Sequence, residues 1–426
     1  MFGPGSCGGR TVDVRGADEQ VAAGPDGVHG SEDSSLLHCF PCQDSSTAEE
    51  LMSIPKSFDK KAAYELIDEL LELVSPDAHI IDRRHMRQLM LTAALVAHDQ
   101  PDRLNLKIMN RSLRELRRGF NTFAPWSDVQ KIAVFGSARS PQGSVHFEMA
   151  AECAKGLVDA GFMVVTGAGP GVMEAANKGA GTENSFGVNI MLPFEQQANP
   201  YIEGDPKLVN FKYFFTRKVV FVKETDGVIL LPGGFGTQDE GFETLTLVQT
   251  GKSDPRPIVM LEDKDSTYWD EWDRYCRSAL LDRGLISPDD LNLYTIVNDP
   301  REAIQHVSHF YRNFHSIRYI DGELVIRMQH RPSARLIEQL NDEFKGIITR
   351  GSITEAEPHA FEAEEPGVLG LHRLRLAFDQ KHLGRLRLLI DRLNDAVTDQ
   401  QVETGPHFRP VHGVTPEAGL AEEDDD

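Results

Sequence analysis

The chain has 426 residues, with 44 basic and 66 acidic side chains, so its formal net charge at neutral pH is −22. Its 40% of hydrophobic residues is enough for two or three packed domains, whereas the acidic excess argues against non-specific nucleic-acid binding, which requires a basic surface. Five cysteines are too few for a disulfide framework, the first residues show no signal-peptide pattern, and no stretch approaches the ~20 apolar residues of a membrane span. We therefore expect a cytoplasmic protein without a nucleic-acid or membrane partner.

Residues 1–52 are predicted to be a disordered tail, because they are rich in glycine, serine and acidic residues and show no sustained hydrophobic periodicity. Cys39 and Cys42 form a C-x-x-C pair within this tail. A structural zinc site needs four ligands, and the other cysteines offer no matching pair. We therefore predict no metal site, with a metal or redox role for the pair as the alternative.

Residues 53–125 are predicted to form a helical segment. Apolar residues recur at helical spacing in three stretches, the first ending before Pro76, the second following Asp82 and the third following the break around Pro101. The third stretch ends in a basic cluster of Arg111, Arg114, Arg117 and Arg118. We interpret this cluster as a solvated face that compensates the helix dipole, with a ligand or partner role as the alternative. The helices are candidates for contacts between subunits.

The pattern changes at Lys131, where short apolar runs begin to alternate with helical segments. The strand-like runs are residues 132–135, 162–166, 187–192, 228–231, 258–261 and 294–297. This alternation predicts an α/β domain over residues 126–314, a Rossmann-like open parallel sheet with helices on both faces. Ligands of such sheets bind beyond the carboxyl ends of the strands.

Residues 315–400 are predicted to form a small α+β module, and residues 401–426 an acidic, disordered tail. Asp321-Gly322 lies between two strand-like runs and signals a hairpin. Leu374, Leu376 and Phe378 alternate with Arg373 and Arg375, which predicts a strand with the two sets on opposite faces. An acidic loop covers residues 355–365. We expect that deletion of residues 316–426 alters the oligomeric state or an effector response rather than the chemistry.

A glycine-rich segment with the sequence PGGFGTQDE runs from Pro232 to Glu240, between a predicted strand and a predicted helix. Glycines in such a turn leave backbone N–H groups accessible to an anion, and the helix dipole favours a phosphate there. The candidate phosphate ligands are Gly233, Gly234, Gly236 and the hydroxyl of Thr237. The alternative is a tight turn in which the acidic residues merely complement the start of a helix.

Two further small-residue turns follow predicted strands. One contains Gly169, Gly171 and Glu174, and its glycine spacing is not that of a dinucleotide-binding fingerprint. The other contains Gly136, Ser137 and Arg139. Because all three turns lie at carboxyl ends of strands, we expect them to line one shared crevice.

Arg217 and Lys218 precede the run at 228–231, and a guanidinium can pair bidentately with a phosphate or a carboxylate. A surface ion pair is the alternative for an arginine considered alone. Together with the PGGxGTxxE motif that ends at Glu240, the Arg-Lys pair resembles the LOG (Lonely Guy) family, once labelled lysine decarboxylase-like. The resemblance covers residues 131–310, and the flanking segments resemble the longer bacterial members, which include nucleotide 5′-monophosphate nucleosidases.

The resemblance implies a phosphoribohydrolase that cleaves the N-glycosidic bond of a nucleoside 5′-monophosphate, such as AMP or a cytokinin nucleotide. It implies catalytic roles for Arg217 and Glu240, a phosphate site at the glycine turns, and a homo-oligomer, a dimer or larger. Glu243, one helical turn from Glu240, is a candidate for sugar contact or for a structural role. No cofactor is expected, because nothing in the sequence argues for a Schiff-base lysine. The alternative is a non-hydrolytic carrier or sensor on the same fold.

Overall fold

The computed structural model describes residues 58–192, 197–362 and 366–397. The predicted tails at 1–52 and 401–426, with Cys39 and Cys42, lie outside these residues. The chain divides into two compact units, residues 1–101 and residues 102–426, which are described separately. Among the described residues, no helix combines the length and the apolar composition that crossing a membrane requires. The domain boundaries inferred from composition stay predictions.

The described part of the first unit is a pair of helices, α1 (Lys60–Val74) and α2 (Ile80–Asp99). Asp59 caps α1, because its side chain accepts hydrogen bonds from two backbone N–H groups of the first turn that have no partner inside the helix. The helices share a small buried cluster of Ile67, Leu71 and Leu91. The predicted helical character is confirmed, although α2 begins two residues before Asp82.

The second unit is built around a parallel sheet of seven strands within the described residues. The strands are β1 (Lys131–Phe135), β2 (Met163–Thr166), β3 (Ser185–Ile190), β4 (Leu208–Phe211), β5 (Gly227–Leu230), β6 (Ile258–Leu261) and β7 (Thr295–Val297). Their order across the sheet is β4-β3-β2-β1-β5-β6-β7, and all neighbours are parallel. Chain order reverses between β1 and β5, and open α/β sheets bind ligands at such a switch point.

Helices cover both faces of this sheet. They are α3 (Arg103–Phe123), α4 (Val145–Asp159), α5 (Val172–Ala180), α6 (Phe214–Glu224), α7 (Phe235–Gln249), α8 (Tyr268–Tyr275) and α9 (Pro300–Phe310). Side chains alternate along a strand, so β1 contributes to a core on each face of the sheet. Ile132 and Val134 pack with α4, α5 and α9 on one face. Ala133 and Phe135 pack with α3, α6 and α8 on the other. The predicted Rossmann-like α/β fold is confirmed.

One strand of the sheet is absent from the sequence-based prediction. β4 has four residues, two of them only partly buried, and it includes Asn210. So short a run, following Asp205-Pro206, gives no clear signal of a buried strand, and only its pairing with β3 defines it. In the same domain, α8 ends at Tyr275 and the chain continues as a π-helix, Cys276–Leu281.

A four-stranded antiparallel sheet follows, in the order β10-β11-β9-β8. Its elements are β8 (Phe314–Ile320), β9 (Glu323–Met328), α10 (Ala334–Glu343), β10 (Thr354–Glu355), α11 (Pro366–Leu369), β11 (His372–Leu376) and α12 (Leu383–Asp395). The hairpin at Asp321-Gly322 is confirmed, and both residues have the positive φ angles that tight hairpin turns favour.

The two arginines of β11 have different environments. Arg375 is exposed, as the alternation predicts, but Arg373 is only 2% exposed because it contacts the carboxylate of Glu362. Arg327 on β9 contacts the same carboxylate at 2.6 Å. Part of the loop predicted from its acidic composition is therefore held to the sheet by a buried ion cluster, which compensates the cost of burying the charges.

Candidate active site

Three turns meet at the carboxyl ends of β1, β2 and β5, which are neighbours in the sheet. The backbone N–H of Ser137 donates to the carbonyl of Pro232 at 3.1 Å, and the N–H of Val172 donates to the carbonyl of Ser137 at 3.0 Å. Gly171 has a φ of +69°, and a Cβ there would lie 2.4 Å from the Ser137 carbonyl oxygen. The structure thus brings the three predicted turns together, and glycine at 171 permits their close approach.

The PGGFGT loop forms the start of α7. Gly234 is the residue before the first helical turn, and no side chain caps this helix end. Side chains added at Gly234 and Gly236 would point into open space, while Thr237 is buried against Gly233. The hydroxyl of Tyr268 donates to the Gly233 carbonyl at 2.6 Å and fixes the loop from α8. An uncapped helix N-terminus of this kind is suited to an anion.

A buried polar network shapes the turn after β2. The Thr166 hydroxyl accepts a hydrogen bond from the N–H of Ala168 at 2.9 Å and donates to the Asn177 side-chain oxygen at 2.7 Å. The side-chain amide of Asn199 donates to that same oxygen at 2.9 Å and to the Gly169 carbonyl at 3.2 Å. These bonds hold Ala168 at a positive φ of 59°, which an alanine adopts only under constraint. The turn is therefore pre-shaped by the protein.

Arg217, on the first turn of α6, is 8% exposed. Its Nε donates to the carbonyl of Val188 in β3 at 2.9 Å. The guanidinium lies against Gly167, where a Cβ would be 2.6 Å from its Nη2 atom. Burial lowers the pKa of Arg217, and the neighbouring carboxylates of Glu240 and Asp239 oppose this effect. The structure places this cation over the second glycine turn.

Glu240 is 7% exposed and lies one turn into α7. Burial raises the pKa of its carboxyl above the usual range, while the positive charges of Arg217 and Lys218 act to lower it. The two residues predicted to be catalytic are therefore close enough to affect each other's ionisation, although 22 residues separate them in the sequence. Such a pair of buried opposite charges can stabilise charge that develops on a bound molecule.

Lys218 connects the carboxylates around Glu240. Its Nζ lies 3.7 Å from the Glu240 Oε2 atom, 2.9 Å from the Asp239 Oδ2 atom and 2.6 Å from the Glu243 Oε2 atom. Burial acts to lower the pKa of Lys218, but its hydrogen bonds to Glu243 and Asp239 outweigh that effect and raise it. Sequence reasoning assigned no role to Lys218, and its position beside Arg217 was the available signal.

The remaining predicted residues lie further out. Arg139 is exposed, and its backbone N–H donates to the Ser137 hydroxyl. The carboxylate of Glu174 accepts a hydrogen bond from the side chain of Gln142 at 2.7 Å. Glu243 is bound to Lys218, and the two residues also line an open groove of about 640 Å³ between α6 and α7. In the described part of the chain, no group of three or more histidine, cysteine or acidic side chains is arranged to hold a metal.

Comparison with known proteins gave matches in this region of the chain. The family model described as "Possible lysine decarboxylase" matches residues 173–307. The cytokinin riboside 5′-monophosphate phosphoribohydrolase of Mycobacterium tuberculosis is 28% identical over 180 residues, which are 41% of this chain and 91% of that protein. A protein of Arabidopsis thaliana named "Probable cytokinin riboside 5′-monophosphate phosphoribohydrolase" is 30% identical over 138 residues, 32% of this chain and 67% of that protein.

Among solved structures, the molybdenum cofactor carrier protein of Chlamydomonas reinhardtii is similar, with a TM-score of 0.29 and 20% sequence identity. The match covers 41% of this chain and 94% of that chain.

Proposed function

Because the chain belongs to the LOG family of lysine decarboxylase-like proteins, we propose that it hydrolyses the N-glycosidic bond of nucleoside 5′-monophosphates and releases the free base and ribose 5-phosphate. Two relatives carry the name of a phosphoribohydrolase acting on cytokinin riboside 5′-monophosphates, at 28% and 30% identity. The observation that carries the proposal is the placement of buried Arg217 and Glu240 beside three touching turns at the switch point of the sheet.

The 5′-phosphate is proposed to bind at the start of α7. Gly234 and Gly236 leave open space there, and the first N–H groups of a helix have no partner within it. The positive end of the helix dipole adds an attraction of roughly 0.3–1 kcal/mol. The network of Thr166, Asn177 and Asn199 holds the neighbouring turn in place before a ligand arrives, so little ordering cost remains at binding.

Bond cleavage leaves positive charge on the sugar. As the C1′–N bond breaks, its electron pair leaves with the base and the ribose becomes oxocarbenium-like, as in glycoside hydrolysis. In the proposed mechanism the Glu240 carboxylate stabilises this cation and orients a water molecule, whose oxygen bonds to C1′. One water proton passes to Glu240, and the departing base takes up a proton from solvent.

Arg217 has two parts in this proposal. Its positive charge keeps Glu240 ionised against the effect of burial, and its guanidinium can contact the nucleotide. Because Arg217 and Glu240 are buried, their charges act more strongly than they would in solvent. Lys218, whose Nζ lies 3.7 Å from the Glu240 carboxylate, supports the same ionisation.

The proposal is tested by measuring free base after incubation with AMP, GMP, CMP, UMP and a prenylated AMP. We expect release from at least one of them, and the profile identifies the preferred base. Glu240→Gln should reduce turnover on the order of a hundredfold or more while ribose 5-phosphate still binds. A well-folded wild-type protein that releases no base from any nucleotide refutes the proposal. Tight nucleotide binding without turnover would instead favour a carrier or sensor.

A further inference from the structure

Glu115 is a buried carboxylate on α3, a helix that precedes the region matched by the family model. Its side chain is only 3% exposed. A charged side chain is rarely buried to this extent unless its oxygens are fully hydrogen-bonded. The partners of Glu115 therefore indicate what the residue does.

Three donors bind the Glu115 carboxylate. Oε1 accepts from the Nε of Arg111 at 2.8 Å and from the backbone N–H of Lys212 at 2.7 Å, and Oε2 accepts from the hydroxyl of Thr216 at 2.5 Å. Lys212 lies just before α6, and Thr216 is in its first turn. Since no side chain of the preceding residue, Tyr213, caps α6, Glu115 supplies the polar contact at this helix start from a different helix.

The helices α3 and α6 also touch closely one turn further along. A Cβ at Gly119 would lie 2.8 Å from the Cγ2 atom of Val220, so that glycine permits the close crossing. The end of α3 is fixed in turn by Phe123, whose ring stacks on that of Phe186 in β3 with centroids 4.2 Å apart. Glu115 is therefore presented to α6 from a helix anchored on the sheet.

We propose that Glu115 is a positioning residue, which fixes the first turn of α6 so that Arg217, next to Thr216, is held beside Glu240. This inference rests on the proposed function, because the purpose of the alignment is hydrolysis. Glu115 itself does not contact the nucleotide. It acts only through the placement of α6, and a misplacement of about 1 Å can cost roughly a hundredfold in rate.

The charges that face Glu240 make the inference specific. Arg217 and Lys218 face it from α6, and Asp239 and Glu243 from its own helix. If the first turn of α6 shifts, Glu240 keeps its acidic neighbours but loses part of its electrostatic attraction to Arg217 and Lys218. Its pKa then rises, and the acidic limb of the kcat profile moves to higher pH.

The test compares Glu115→Ala, Glu115→Gln and Thr216→Val with the wild type, using the preferred nucleotide. We expect Glu115→Ala to lower kcat roughly tenfold to a hundredfold and to change KM much less. The acidic limb of its kcat profile should move to higher pH. Glu115→Gln should recover part of the rate, because its amide oxygen can still accept the Lys212 N–H. Thr216→Val, which removes only the hydroxyl that contacts Glu115 and the Tyr213 carbonyl, carries the test if Glu115→Ala does not fold.

Glu362→Gln is the matched control, because Glu362 is also a buried, arginine-bound carboxylate but is bound to arginines of the antiparallel sheet. It should alter thermal stability without moving the acidic limb. The inference is overturned if folded Glu115→Ala keeps wild-type kcat and pH profile, or if Glu362→Gln shifts the limb equally. A wild-type protein without base release refutes the proposed function instead, and the positioning role of Glu115 in hydrolysis with it.

Discussion

At the scale of single residues, Arg217 and Glu240 are both buried, and each makes the charged form of the other less costly. Burial shifts the pKa of each group toward its neutral form, and the opposite charge of the partner counteracts that shift. As the pH falls, a buried carboxylate that must be ionised to act is expected to become protonated, and so inactive, at a higher pH than an exposed glutamate.

The pH profile of kcat follows from this arrangement. Because burial raises the pKa of Glu240 above 4.5, the usual value for glutamate, protonation removes the proposed active form as the pH falls through the raised value. We therefore expect an acidic limb in kcat, measured by base release from acidic to neutral pH, with its midpoint above 4.5. A midpoint at or below that value would show that another group, or none, controls the rate.

Lys218→Met tests the cation that joins the three carboxylates. Without it, Asp239, Glu240 and Glu243 repel one another, and the ionised form of Glu240 becomes less favourable. We expect kcat near neutral pH to fall roughly tenfold, and to recover in part at higher pH.

Lys223→Met, on the same helix, is the matched control, since Lys223 is 58% exposed and pairs with the adjacent Glu224. Lys223 is not among the neighbouring charges that shift the pKa of Glu240, so this variant should retain its activity. Equal losses in both variants would contradict the assignment of Lys218.

At the scale of secondary-structure elements, α5 has a glycine at each end, and the two differ in their surroundings. Gly171 has a φ of +69° and no room for a Cβ, whereas Gly181 has a φ of +76° and nothing within 4 Å. Gly181→Ala should therefore cost about 1–3 kcal/mol, because its φ of +76° and ψ of 156° lie in a backbone region that essentially only glycine adopts. Gly171→Ala should cost more and lower base release, because it also separates two turns of the site. Denaturant unfolding measures the loss of stability in each variant, and base release measures the loss of activity. Equal losses of stability in the two variants would contradict the close contact between Gly171 and Ser137.

The polar network around Thr166 is another element-scale feature that the sequence did not indicate. Asn177 and Asn199 are 22 residues apart, and Asn199 precedes a proline in a connection, which predicts only a turn. Their side chains meet because α5, which carries Asn177, and the connection after β3, which carries Asn199, both bind the turn after β2. Sequence spacing alone therefore predicted the glycines of this turn, but not the side chains that hold it in shape.

At the scale of the whole second unit, the antiparallel sheet and its helices are packed directly on the parallel-sheet part. A Cβ at Gly384 in α12 would lie 1.8 Å from the Asp289 carbonyl oxygen. The side-chain oxygen of Asn394 on α12 accepts hydrogen bonds from the backbone N–H groups of Asn313 and Phe314, at the junction between α9 and β8. We therefore expect that removal of residues 316–426 lowers stability, measured by thermal unfolding, in addition to any effect on oligomeric state or effector response.

His306 makes this packing dependent on pH. It lies on α9, and its Nε2 is 3.0 Å from Nη2 of Arg387 on α12, so the imidazole must be neutral to accept that hydrogen bond. Burial, and then the charge of Arg387, lower the pKa of His306 from 6.5 to about 4. His306 takes up a proton more readily in the unfolded chain than in the folded one. The stability that the neutral imidazole contributes is therefore complete above pH 6.5 and is lost as the pH falls toward 4, by up to about 3 kcal/mol of the free energy of unfolding.

His306→Gln should flatten that dependence, because glutamine can still accept from Arg387 but does not titrate in this range. Thermal unfolding between pH 4 and 6.5 measures the difference between the wild type and the variant. The same slope in both proteins would place the titrating group elsewhere.

The sequence by itself determined the class of fold and indicated where to look for the candidate site. Alternating apolar and helical runs are local patterns, and so are the three small-residue turns and the motifs at Arg217 and Glu240. Parallel strands bring their carboxyl ends to one edge, so these local patterns were enough to predict a shared crevice.

Only the tertiary structure decided which charges are buried and which groups they meet. Glu115 and Glu362 look like ordinary surface residues in the sequence, and both have less than 4% exposure once arginines and backbone N–H groups surround them. Lys218 likewise gains its three carboxylate partners only when α6 packs beside α7. The free energy of a charge depends on its solvation and its neighbours in space, and neither of these can be derived from residue spacing.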